Sequence, residues 1–129
     1  MKHLALLFAF AITVQAAPDA SFFRALHIVE TSGKLGPTLG DQRRSLGPLQ
    51  ISRAYHKDSR VGNDSDYMRC ADLEYSKRVV TAYLQRYAPQ AWAAGDVETL
   101  ARVHNGGPKG ATKPATKSYA VRVQAFMKK

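Results

Sequence analysis

Residues 18–33 read PDASFFRALHIVETSG and residues 34–51 read KLGPTLGDQRRSLGPLQI, and the change of character between them decides the fold. In the first stretch Phe22, Phe23, Leu26 and Val29 recur at helical spacing behind a Pro18-Asp19 start, until Gly33 stops the pattern. From there to Gln50 the chain carries Gly36, Pro37, Gly40, Gly47 and Pro48, which predicts turns around at most a small sheet. Helical patterning then returns. Ile51 to His56 reads as a short helix, and Tyr67, Met68, Cys70, Leu73, Val79, Val80, Tyr83, Leu84 and Tyr87 mark one long amphipathic helix from Asp66 to Tyr87, ending before Pro89. Asp96 caps a further helix through Val97, Leu100, Ala101 and Val103 that Gly106-Gly107-Pro108 closes. A surface loop follows over 109–117, then a last helix with Tyr119, Val123 and Phe126. The expectation is an α+β domain, mostly helical, with one small irregular β/turn segment after the first helix.

Upstream of this domain, Lys2 precedes an apolar run from Leu4 to Val14, and Val14-Gln15-Ala16 has the pattern expected ahead of cleavage after Ala16. The run is shorter than the ~20 apolar residues needed to span a bilayer. Residues 1–16 therefore read as a signal peptide and 17–129 as a single domain, exported to the periplasm or secreted, without a membrane anchor once the signal is removed.

The chain has 19 Lys and Arg against 10 Asp and Glu, a formal charge of +9, or +8 without Lys2. Such an excess favours an anionic partner. Nucleic acid, anionic lipid and the bacterial wall all qualify on charge alone. Cys70 is the single cysteine, so no internal disulfide can form, and its place in a helical stretch reads as a small buried apolar residue. The four histidines and this cysteine do not fall at metal-ligand spacing, and no metal or other cofactor is expected.

Glu30 is the most informative carboxylate. It follows Phe23 by seven residues and Leu26 by four, which puts it on the apolar face in the helix's last turn. Burial favours the protonated form of a carboxyl group, as a general acid acting on a glycosidic oxygen requires. The alternative is a side chain rotated into solvent at the helix end. Asp41, eleven residues later, lies in the irregular segment. Turn chemistry alone accounts for an Asp there. A loop folded back over the first helix would instead let Glu30 and Asp41 flank one cleft, as paired carboxylates do in glycosidases.

Three stretches carry a resemblance. Val29-Glu30-Thr31-Ser32-Gly33, then Gly40-Asp41, then Ser45-Leu46-Gly47-Pro48-Leu49-Gln50-Ile51 resemble a Glu-Ser-Gly, Asp, Gly-Pro-Tyr-Gln-Ile series. Cys70-Ala71-Asp72 through Val79-Val80 to Tyr83 and Arg86-Tyr87-Ala88 form a second, weaker match. The most specific is Ala101-Arg102-Val103-His104-Asn105-Gly106-Gly107-Pro108-Lys109-Gly110, followed by Tyr119 and Val123. Together they resemble the invertebrate-type lysozymes, the destabilase family within the lysozyme-like superfamily.

The resemblance implies a lysozyme-like fold and hydrolysis of the β-1,4 bonds of peptidoglycan glycan strands, the expected partner, with no nucleic-acid partner assigned. It places Glu30 on the family's acid and Asp41 nearest its second carboxylate, one residue closer to Glu30 than the usual pattern. It puts Gln50, Tyr55, His104, Asn105 and Tyr119 at positions lining the glycan groove. Two alternatives stay open: a lytic transglycosylase using Glu30 alone, and a non-catalytic basic wall-binding protein. Some family members show isopeptidase activity attributed to a Ser and His pair, for which Ser45 and His104 are the candidates. The chain also departs from the family, which is generally rich in disulfides. Leu46, Ala71 and Ala111 stand in or beside places where Cys is expected, and His56 and Ala120 stand where Trp is frequent.

Overall fold

A computed structural model of the chain describes residues 17–129. The expected signal peptide, 1–16, lies outside the described residues. Helix α1, Ala20–Thr31, starts at Asp19, whose side chain accepts from the Ser21 N–H, and ends where Ser32 turns into the left-handed region at φ 57°. Strands β1 (Leu39–Gly40), β2 (Ser45–Leu46) and β3 (Ile51–Ser52) form a small antiparallel sheet in the order β1-β2-β3. Helices α2 (Arg53–Ser59), α3 (Leu73–Tyr87), α4 (Pro89–Ala94), α5 (Val97–Gly106) and α6 (Lys117–Met127) complete the domain. The result is mostly helical with a small β segment after the first helix, as the residue pattern predicts. Among the described residues no helix is long and apolar enough to cross a membrane.

Four local readings need correction. Ile51 and Ser52 belong to β3, and Ser52 caps α2 by accepting from the Tyr55 N–H, so the short helix begins two residues later than expected. The long helix over 66–87 is in fact two elements. A 3-10 segment, Asp64–Ala71, precedes α3, and Asp72 between them is extended, its side chain capping α3 at the Tyr75 N–H at 2.8 Å. Tyr67 and Cys70 are three residues apart, a spacing that suits the three-residue turn of a 3-10 helix, and both are buried. Pro89 does more than stop α3: it occupies the first turn of α4, where its missing N–H costs nothing. The expected loop at 109–117 holds two short 3-10 turns, Gly110–Thr112 and Pro114–Thr116.

The core gathers Phe22, Ala25 and Leu26 of α1, Leu46, Leu49 and Ile51 of the β segment, Val79, Val80 and Leu84 of α3, Leu100 and Val103 of α5, and Val123 of α6. Cys70 is fully buried within it as a free thiol, and burial pushes its pKa up to about 12. Packing takes the place of cross-links. Leu46 is buried and Ala71 and Ala111 are half-buried, so apolar side chains fill positions where the resemblance leads one to expect cysteine.

His56 is buried, with Nε2 2.8 Å from the Tyr75 hydroxyl. Burial lowers its pKa from 6.5, opposed in part by the charges of Asp66 and Asp64. Below pH 6.5 the unfolded chain therefore binds more protons at this residue than the folded one. Its contribution to stability is complete above that pH and is lost as the pH falls. Urea midpoints measured at pH 7.5 and pH 5 should differ more for the parent than for His56→Gln. Equal differences in the two proteins would show that His56 does not contribute.

Candidate active site

Glu30 sits one residue from the end of α1, where the helix meets three other parts of the molecule. Thr31 Oγ1 donates to the Pro48 carbonyl at 3.1 Å, fastening the end of α1 to the β segment. The Arg122 guanidinium reaches the Val29 carbonyl from α6. The Glu30 side chain is held by α5 and α6 together: the Tyr119 hydroxyl donates to Oε1 at 2.5 Å, and His104 Nε2 lies 3.4 Å from the same oxygen. Its side chain is only 18% exposed. The solvent-rotated alternative is excluded.

Behind these contacts is a second layer. The Tyr55 hydroxyl of α2 is 2.8 Å from His104 Nδ1, and the Tyr55 ring stacks on Tyr83 of α3 with centroids 3.7 Å apart. Tyr55 thus engages Nδ1 of His104 while Nε2 faces Glu30. Burial raises the pKa of Tyr55 well above its ordinary value, with the charges of Tyr83 and Glu30 adding to it. Burial is also the main cause for Tyr119, followed by the charge and hydrogen bond of Glu30. Both phenols thus keep their hydrogens and act as donors. Both contacts to the carboxyl fall on Oε1, and among the described residues Oε2 takes no hydrogen bond or ion pair.

Glu30, Tyr55, His104 and Tyr119, separated by up to 89 positions in the chain, are thus brought into one network. The other three candidates lie outside it. Asp41 occupies the β1–β2 turn, where Asp41, Gln42 and Arg43 all adopt positive φ. Its side chain is 64% exposed and pairs with Arg44 at 3.1 Å. Gln50 fastens the hairpin, its Nε2 donating to the Thr38 and Gly47 carbonyls at 3.0 Å each. Asn105 is exposed near the end of α5. Ser45 makes no side-chain hydrogen bond to His104 among the described residues, and the two ring nitrogens of His104 face Tyr55 and Glu30. Residue pattern alone missed Thr31 and Tyr83, which place the end of α1 and the Tyr55 ring. Tyr83 was visible only as one more apolar position along α3.

The family model described as Destabilase matches residues 25–126. The chain belongs to the Destabilase family. Lysozyme 1 of Crassostrea virginica is 42% identical over 82 residues, 63% of this chain and 44% of that protein. A lysozyme of Ostrea edulis is 36% identical over 88 residues, 67% of this chain and 63% of that one. This Destabilase chain therefore spans less than two thirds of the length of either curated relative. The crystal structure of the Tapes japonica lysozyme superposes with a TM-score of 0.68 at 26% identity, covering 84% of this chain and 90% of that one. The Destabilase fold seen here is accordingly lysozyme-like.

Proposed function

We propose that residues 17–129 are an exported glycoside hydrolase of lysozyme type that cleaves β-1,4 bonds of bacterial peptidoglycan, with Glu30 as general acid. The observation that carries this reading is the half-buried Glu30 carboxyl with both its polar neighbours, the Tyr119 hydroxyl and His104 Nε2, on Oε1. A proton on Oε2 is then free to pass to the leaving glycosidic oxygen. Once it has gone, Tyr119 and His104 stabilise the carboxylate left behind, which can take a proton from the attacking water. Tyr119 and His104 act on Glu30 rather than on sugar in this reading, and Tyr55 acts through His104. The names of the relatives support the activity, and the excess of Lys and Arg suits an anionic wall polymer.

The second carboxylate is Asp41, carried over Gly40 on the exposed β1–β2 turn. Its role is to offset the positive charge that develops on the sugar ring. Gln50 supports the groove indirectly, by holding the hairpin that bears Asp41, and Asn105 is the exposed polar group at the far end of α5. Reducing ends released from purified peptidoglycan test this assignment. Asp41→Asn should lower turnover by about 100-fold with little change in KM, since the charge matters mainly in the transition state. A folded variant with near-parental turnover removes Asp41 from the mechanism.

A further inference from the structure

A cavity of about 460 Å³, within the ~300–1,000 Å³ common for small-ligand sites, opens beside the β1–β2 hairpin. Arg43, Arg44 and Arg53 line it, and no carboxylate does. Arg44 is engaged by Asp41, whereas Arg43 and Arg53 enter no ion pair among the described residues. Arg53 instead lies over the Tyr67 ring, 4.4 Å from its centroid. Ser52 and the Tyr67 ring also line it, with aliphatic side chains partly open to water: Leu39 is 48% and Met68 59% exposed, beside buried Leu46. None of the side chains holding Glu30 borders this cavity. The Thr31–Pro48 bond nevertheless ties the β segment to the helix end that bears Glu30, so the two sites occupy adjoining elements.

Two unpaired guanidinium forks set beside aliphatic surface match a ligand that alternates carboxylates with short aliphatic groups. We propose that this cavity binds the acidic peptide that peptidoglycan glycan strands carry, with its carboxylates on Arg43 and Arg53 and its aliphatic groups on Leu39 and Met68. The proposal rests on the peptidoglycan reading and makes the protein selective for peptide-bearing strands. A phosphodiester polymer fits less well, because it offers nothing to Leu39 and Met68. Nucleic-acid grooves present aromatic faces for base stacking, and the aromatic ring here, Tyr67, is buried with Arg53 over it.

The test is calorimetric titration with free stem peptide released from purified peptidoglycan by an amidase. Arg43→Gln/Arg53→Gln should bind about tenfold more weakly than the parent, as expected for loss of charge-assisted hydrogen bonds. Lys128→Gln/Lys129→Gln, which removes the same charge elsewhere, should bind as the parent does. On peptide-bearing strands the arginine variant should show a raised KM and unchanged kcat, and on strands stripped of peptide it should match the parent. Equal binding by all three proteins, equal weakening in both variants, or displacement of the peptide by a lower concentration of glycerol phosphate polymer would each overturn the proposal. Peptide binding without glycan cleavage leaves the cavity assignment standing and counts against the hydrolase, while cleavage without peptide binding does the reverse.

Discussion

Glu30→Gln is expected to abolish glycan cleavage while the protein stays folded. The amide matches the carboxyl in shape, and its carbonyl oxygen can still accept from Tyr119, but it has no proton to give the leaving oxygen. Loss of a positioned general acid costs about 100-fold or more in rate. The melting temperature should move by only a few degrees, because the amide oxygen keeps the hydrogen bond from Tyr119 and the rest of the network, Tyr55 to His104, does not depend on it. Turnover on purified peptidoglycan and a thermal melt of the same preparation check both halves. A folded variant with activity within a few-fold of the parent would remove Glu30 from the chemistry.

Gly47→Ala should have the largest effect on stability. Gly47 has φ +83° and its N–H donates to the Thr38 carbonyl at 2.8 Å, closing the turn that Gln50 braces. A Cβ there would overlap the Cys70 carbonyl oxygen, which is backbone, and Ser76 Oγ already donates to that oxygen at 2.8 Å. Relief requires moving the 3-10 segment away from the β segment. Left-handed strain and the displaced packing together should cost about 3 kcal/mol or more, against a total of about 5–15 kcal/mol for a domain. In a domain of this size that lowers the melting temperature by about 10 °C or more. A melt within about 2 °C of the parent would show that the two segments are not locked together here.

The elements that the sequence made legible are those with a clean start, a clean period and a clean stop. Helix α1 has Asp19, an apolar stripe and Gly33; α5 has Asp96 and the Gly106-Gly107 stop. The long stretch after Asp66 reads as one helix because a three-residue and a 3.6-residue period are hard to separate over so few turns. Asp72, inside the expected helix, is the cap of α3 instead. Pro89 reads as an ending in the sequence and is equally a beginning. At the site, Glu30 stood out because a carboxylate on an apolar stripe is unusual. What holds it was not legible without the resemblance, since contacts from Tyr119 and His104 depend on how α5 and α6 pack against α1 rather than on any local pattern. Gln50 shows the opposite limit. Its position suggested a sugar contact, while its amide hydrogens are committed to two backbone carbonyls of the hairpin.

The most direct test is to digest purified peptidoglycan in water enriched in oxygen-18 and identify the soluble products by mass spectrometry. Hydrolysis adds one water across each cleaved bond, so each new reducing end should carry a single heavy oxygen, and Glu30→Gln should yield none of these fragments. Anhydro-terminated fragments without the label, from the parent protein, would replace hydrolysis by transglycosylation. The absence of any soluble fragment would contradict the account at its centre.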